Sequence, residues 1–232
     1  MFNLVSKARQ FLGMVEHNNS AKSLNARQVN RLMDTARKGE PRAQFELGQY
    51  YCQSGPDQNP ELGLDYLRSA ANQDNAHACA LLGLIHSEGK LVPLDLTIAI
   101  QWYEMGDKLG DTQAQYILGS AYETGRFGLN PNPGLAHDLF LRAALQDHGP
   151  SQSRLASYYA KSYGVVEDKP LAMMWAELAL LSGHSAAIRV KHSLARHMTA
   201  QQLIIAKKLV ESWPIIRASH GKKLPYYRGL YA

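Results

Sequence analysis

Cysteine is the first scarcity. Two in 232 residues exclude a dense disulfide framework and leave too few thiols for a Cys-only zinc site. Long apolar runs are missing too: no stretch approaches the ~20 residues that a helix needs to cross a bilayer, so no integral membrane protein is expected. The opening MFNLVSKARQFLGMVEHNN lacks the charged n-region, apolar core and small-residue cleavage site of a secretory signal, and a cytoplasmic location is expected. Catalytic signatures are absent as well. There is no C-x-x-C, G-x-S-x-G or G-x-G-x-x-G. None of the nine histidines pairs at i, i+4 around a glutamate, and Ile216 stands where a phosphate loop before Gly221-Lys222-Lys223 needs glycine. No catalytic residue, metal or cofactor is expected.

Acid is scarce at both ends. Residues 1–42 carry eight Lys/Arg against three Asp/Glu, and 214–232 carry four against none, leaving 13 basic and 17 acidic residues for 43–213. The overall +5 therefore hides a mildly acidic body between basic ends. A nucleic-acid reader of this kind would carry positive charge along the body, so nucleic acid is disfavoured as a partner.

What is present is a repeat. Leu47-Gly48, Leu82-Gly83, Leu118-Gly119 and Leu155-Ala156 recur every 35 to 37 residues. Ala43, Ala78, Ala114 and Ser151 precede them in step, and Tyr51, His86, Tyr122 and Tyr159 follow. Downstream, Gly63, Ala99, Ala136 and Ala172 share one register, and Tyr66, Trp102, Leu139 and Trp175 the next. Ala70, Gly106, Ala143 and Ala179 share a third. In the third unit Ala114, Leu118, Gly119 and Tyr122 fall at i, i+4, i+5, i+8, and Ala136, Leu139, Phe140, Ala143 and Ala144 at i, i+3, i+4, i+7, i+8, so a unit is two amphipathic helices. Neither helix buries its face alone, and the units must stack. Asn59-Pro60 and Asn132-Pro133 read as N-caps with proline at the first helical position, and Asp95 and Asp168 as N-caps of the other second helices.

The pattern A-x-x-x-L-G-x-x-Y, a short loop, then A-x-x-W-[YF]-x-x-A-A resembles the Sel-one-like repeat, a relative of the tetratricopeptide solenoids. Gly89, Asp95, Ala99, Trp102, Tyr103 and Gly110 of ACALLGLIHSEGKLVPLDLTIAIQWYEMGDKLG stand in the family's places. The resemblance covers roughly residues 40–185 and departs from the pattern at Gly55, at Ala156 and in the longer loop RFGLNPN. It implies an all-α, right-handed α-solenoid of about four helix-turn-helix repeats, and no particular reaction.

The expected layout is an N-terminal arm over 1–24, a half-repeat helix over 25–39, four repeats over 40–183, capping helices over 184–213 and a basic aromatic tail over 214–232. The arm has Phe2, Val5 and Leu12 on one side of a short helix, read as packed on the solenoid or as a docking helix. Thr199 to Gln202 reads as a capping box, and Pro214 should end the last helix. The tail, with Ile215, Ile216, Tyr226, Tyr227 and Tyr231, is expected to lie along the acidic solenoid, its own or a neighbour's, the alternative being a mobile tail that orders only on a partner. Cys52 and Cys79 should sit about eight residues apart along neighbouring first helices, ~12 Å, too far for a disulfide. His86, Trp102 and Trp175 read as packing residues, His86 with a hydrogen-bond partner.

With no chemistry visible, function falls to surface. First helices of paired-helix solenoids line the concave side. Off the packing face they offer Arg42, Glu46 and Gln49; His77, Leu81, Leu84 and Glu88; Gln113, Tyr116, Ser120 and Glu123; and Arg154, Ser157 and Lys161. Apolar anchors among charges suit a partner protein or peptide segment, with Leu81 alternatively packed between helices. The expected function is a non-catalytic adaptor. The competing readings are an anionic surface, membrane or RNA, bound by the basic ends, and more distantly a hydrolase, as reported for some exported relatives in the resembling family.

Overall fold

The computed structural model describes residues 24–53 and 57–219, with the side chains of 215–219 outside that description. The N-terminal arm and the tail beyond Ser219 lie outside the described residues. Among those described, every regular element is helical. They are α1 (Ala26–Arg37), α2 (Pro41–Cys52), α3 (Pro60–Ala71), α4 (Ala76–Glu88), α5 (Leu96–Lys108) and α6 (Thr112–Thr124), followed by α7 (Pro133–Ala144), α8 (Gly149–Lys161), α9 (Lys169–Leu181), α10 (Ile188–Ala195) and α11 (Ala200–Ser219). Short 3-10 turns at Arg126–Gly128 and Ser185–Ala187 complete the list. Two compact units divide within α6, between Ala114 and Gln115.

The second helices start where their side chains dictate. Asn59, Asp95, Asn132 and Asp168 each accept a hydrogen bond from the backbone N–H three residues on, at 3.2, 2.9, 3.0 and 2.8 Å. That satisfies a donor the helix leaves open. Asn25 and Gln28 close a reciprocal capping box on α1, and Thr199 and Gln202 do the same on α11. Each repeat then turns into the next through a left-handed residue: Gly39, Asp74, Gly110, Asp147 and Gly183, with φ of 91°, 59°, 86°, 60° and 79°. Glycine adopts this conformation freely, and aspartate is among the side chains that tolerate it.

Within each hairpin the small residues set the helix separation. A methyl group at Gly48 would lie 2.6 Å from Leu67, one at Gly83 2.7 Å from Tyr103, and one at Gly119 2.8 Å from Phe140. All three large partners are buried to 0% exposure. In the first unit one cluster gathers Phe45, Leu67, Ala71, Cys79, Leu82 and Ile85, and a second gathers Ala36, Ala43 and Leu47. In the second unit the largest cluster runs from Ala136 and Phe140 through Tyr158 and Trp175 to Trp213. Trp175 and Trp213 meet edge-on, ring centres 5.0 Å apart.

A buried glutamine follows the small residue in three first helices. Gln44, Gln115 and Gln152 are 8%, 3% and 1% exposed. Gln44 donates to the Ala36 carbonyl and accepts from Gln73, and Gln152 donates to the Ala144 carbonyl and accepts from Ser182. Gln115 accepts from Gln146. Each side chain thus ties its hairpin together, and two of them reach a carbonyl at the end of the preceding second helix. In α4 the position is Cys79, whose thiol has 0% exposure.

Three expectations need correction. Pro214 does not end the last helix, which continues to Ser219. Proline has no N–H for the carbonyl four residues back, but Trp213 is anchored in the core while Pro214 faces solvent, so the chain loses one bond and keeps its course. The first of the capping helices expected over 184–213 is a 3-10 turn leading into the eight residues of α10. His86 is buried as expected, yet its Nδ1 has no hydrogen-bond partner. Both cysteines are free.

Candidate functional site

In the first unit, Arg42 and Glu46 form an i, i+4 pair, Nε to Oε1 3.0 Å, on the open side of α2. Such exposed pairs contribute little, ~0.3–0.5 kcal/mol. Gln49 is half-buried one turn on. His77 opens α4 and joins three repeats. Its ring lies 5.9 Å from that of Phe45, and its Nδ1 is 2.7 Å from Oδ2 of Asp111. Asp111 is 4% exposed, and its other oxygen accepts from the N–H groups of Gln113 and Ala114 at 2.9 and 2.7 Å, capping α6. The carboxylate hydrogen bond raises the His77 pKa above its ordinary value.

Leu81 does not belong to this surface. It is 4% exposed and packs with Leu82 and Ile85 in the core, because α4 is apolar nearly all round over ACALLGLI and buries both its faces. Leu84 is half-buried at the core's edge, Glu88 pairs with Lys90 at 3.0 Å, and Gln113 is half-buried.

In the second unit, the Tyr116 ring packs 5.8 Å from Phe140 and 5.2 Å from His148, and the residue keeps part of its surface open. Ser120 is half-buried, and its Oγ has no hydrogen-bond partner. Glu123 and Arg154, from successive first helices, meet at 3.2 Å with side chains 13% and 39% exposed. Tyr163 donates its hydroxyl to the Glu123 carbonyl at 3.3 Å. Burial, then the Glu123 charge, raises the Tyr158 phenol above its ordinary value. Ser157 donates to the Ser153 carbonyl, and Lys161 is exposed.

Most of the expected residues therefore keep open surface on first helices. His77 and Gln113 meet at Asp111 in the first unit, and Glu123 meets Arg154 in the second. Asp111 itself was missed. A signal existed, since Asn75, Asp111 and His148 share the register just before a first helix, the N-cap position. The arrangement offers charge pairs, amides and aromatic edges, suited to holding a polypeptide. Burial pushes both thiols up to about 11, away from nucleophilic use. Among the described residues no three His, Cys, Asp or Glu side chains gather to hold a metal, and no helix is long and apolar enough to cross a membrane.

The Sel1 repeat profile matches residues 41–75, 76–111, 112–148 and 149–184. The chain is 29% identical over 156 residues to the alginate biosynthesis protein AlgK of Pseudomonas syringae pv. tomato, covering 65% of this chain and 33% of that protein. It is 32% identical over 116 residues to chitin synthase regulatory factor 4 of Schizosaccharomyces pombe, covering 49% and 18%. The chain thus spans a third or less of the length of these curated relatives. A crystal structure of a Sel1 repeat protein from Oxalobacter formigenes superposes with a TM-score of 0.68 at 31% identity, covering 72% of this chain and 48% of that one. Proteins built from these repeats are in general non-enzymatic scaffolds that mediate protein–protein interaction. With four matched repeats spanning more than half its length, this chain belongs to the Sel1 repeat family of helical-repeat α-solenoids.

Proposed function

We propose that the protein is a non-catalytic adaptor that holds a partner protein or peptide segment on the surface of its first helices. The observation that carries this reading is in the second unit. There Tyr116, Ser120, Glu123, Arg154 and Ser157 are all partly exposed on two successive first helices, with Glu123 and Arg154 paired between them. An aromatic edge beside a fixed charge pair presents to a polypeptide both an anchor and hydrogen-bonding partners. The first unit offers Arg42, Gln49, His77 and Leu84 in the same spirit. The regulatory role named for the S. pombe relative is consistent with action through another protein. The two free thiols support a reducing, cytoplasmic setting.

A photo-crosslinking amino acid at Leu84, Ser157 or Lys161, with the exposed second-helix residue Glu104 as control, tests the site in the native cell. Adducts to a defined partner should form from the first three positions and not from Glu104. Adducts from Glu104 alone would move the site to the second helices. Capture that collapses steeply with added salt would favour the anionic-surface reading by the basic ends.

A further inference from the structure

In the complete hairpins, the first-helix glycine seats against one large second-helix residue, as Gly48 against Leu67, Gly83 against Tyr103 and Gly119 against Phe140. The same register in α1 is Leu32, 35 residues before Leu67. Leu32 is only half-buried, and so is Thr35, the counterpart of Ala70, which has 0% exposure. Leu32 and Thr35 line an open cavity together with Lys38, Glu40 and Ala43. α1 is therefore a second helix whose seat for a first helix stands open.

The sequence upstream fits that seat. Ala8, Leu12 and Gly13 lie 35 residues before Ala43, Leu47 and Gly48, so A-x-x-x-L-G recurs in step. Charge agrees. Asp111, just before α6, takes the Nδ1 of His77 from the preceding first helix. Glu40 holds the same register before α2, makes no side-chain capping bond and is exposed. The residue in His77's register one repeat before Arg42 is Lys7.

We propose that the open face of α1 is the docking site of the chain's own segment 7–16, which completes a fifth, N-terminal repeat with Gly13 seated on Leu32 and Lys7 opposite Glu40. The departures are Arg9 where Gln44 stands and Glu16 where Tyr51 stands, polar residues of the kind that close a stack.

Hydrogen exchange of the full chain tests this. Amides of residues 8–16 should exchange about tenfold or more slowly than unstructured ones. Leu32→Asp should abolish that protection while α4 and α8 keep theirs. Glu40→Lys should weaken it, and adding Lys7→Glu should restore it. Should Leu32→Asp unfold the first unit, the Glu40/Lys7 exchange pair decides alone. Unprotected exchange in the wild type would overturn the proposal. So would protection that survives Leu32→Asp, or protection that grows with protein concentration, which would make a second copy the source.

Discussion

Two histidines at opposite ends of α4 give opposite pH dependences. The Asp111 hydrogen bond raises the His77 pKa. Its contribution to stability is fully present below the unfolded value of about 6.5 and is lost as pH rises through the higher folded value. Burial, and secondarily the Arg68 charge, lowers the His86 pKa. There the unfolded chain takes up its proton first, so stability falls as pH drops below about 6.5. We expect His77→Gln to lower the urea midpoint more at acid than at alkaline pH, and His86→Tyr, the residue of the other repeats, to flatten the acid-side loss. A His77→Gln penalty that grows with pH would contradict the assignment. Packing is as local. Ala143 has 0% exposure, and Ala143→Leu should cost ~1–3 kcal/mol by overpacking, visible as a lower melting temperature.

At the scale of the helix, the buried glutamines and the left-handed turns carry the joints. Gln152→Leu leaves the Ala144 carbonyl and the Ser182 hydroxyl without their partner, at a cost of ~1–3 kcal/mol. Asp74→Gly should stabilise by a few tenths to about 1 kcal/mol, because glycine occupies φ of 59° without steric penalty; chemical denaturation of each variant measures both effects. The Leu-Gly ladder, the small-residue seams and the second-helix caps were legible because each is a local pattern repeated in step. Gln44, Gln115 and Gln152 were not. A glutamine beside an alanine reads as solvent face, and only the fold shows that a carbonyl waits for it. The register was there to be seen, one residue after Ala43, Ala114 and Ser151. Leu81 misled for the opposite reason: periodicity assigns one buried face per helix, and α4 buries two. Pro214 misled because the rule weighs the lost hydrogen bond and cannot see Trp213 holding the turn before it.

Across the whole molecule, stability in a helical repeat chain is close to a sum of hairpin and nearest-neighbour contributions. Ala143→Leu should then lower amide protection in α7 and α8 and leave α2 to α4 nearly unchanged. Uniform loss throughout the chain would mean the repeats melt as one. The same scale gives Cys79 a use. Its thiol, with 0% exposure and pushed up to about 11, packs at the joint of the first two repeats among Phe45, Leu67 and Ala71, whereas Cys52 is only half-buried. An alkylating reagent can meet Cys79 only when that joint parts. Its rate of modification in native buffer, set against the faster Cys52 in the same chain, counts those partings directly, so the molecule carries its own reporter of how often its first two hairpins separate.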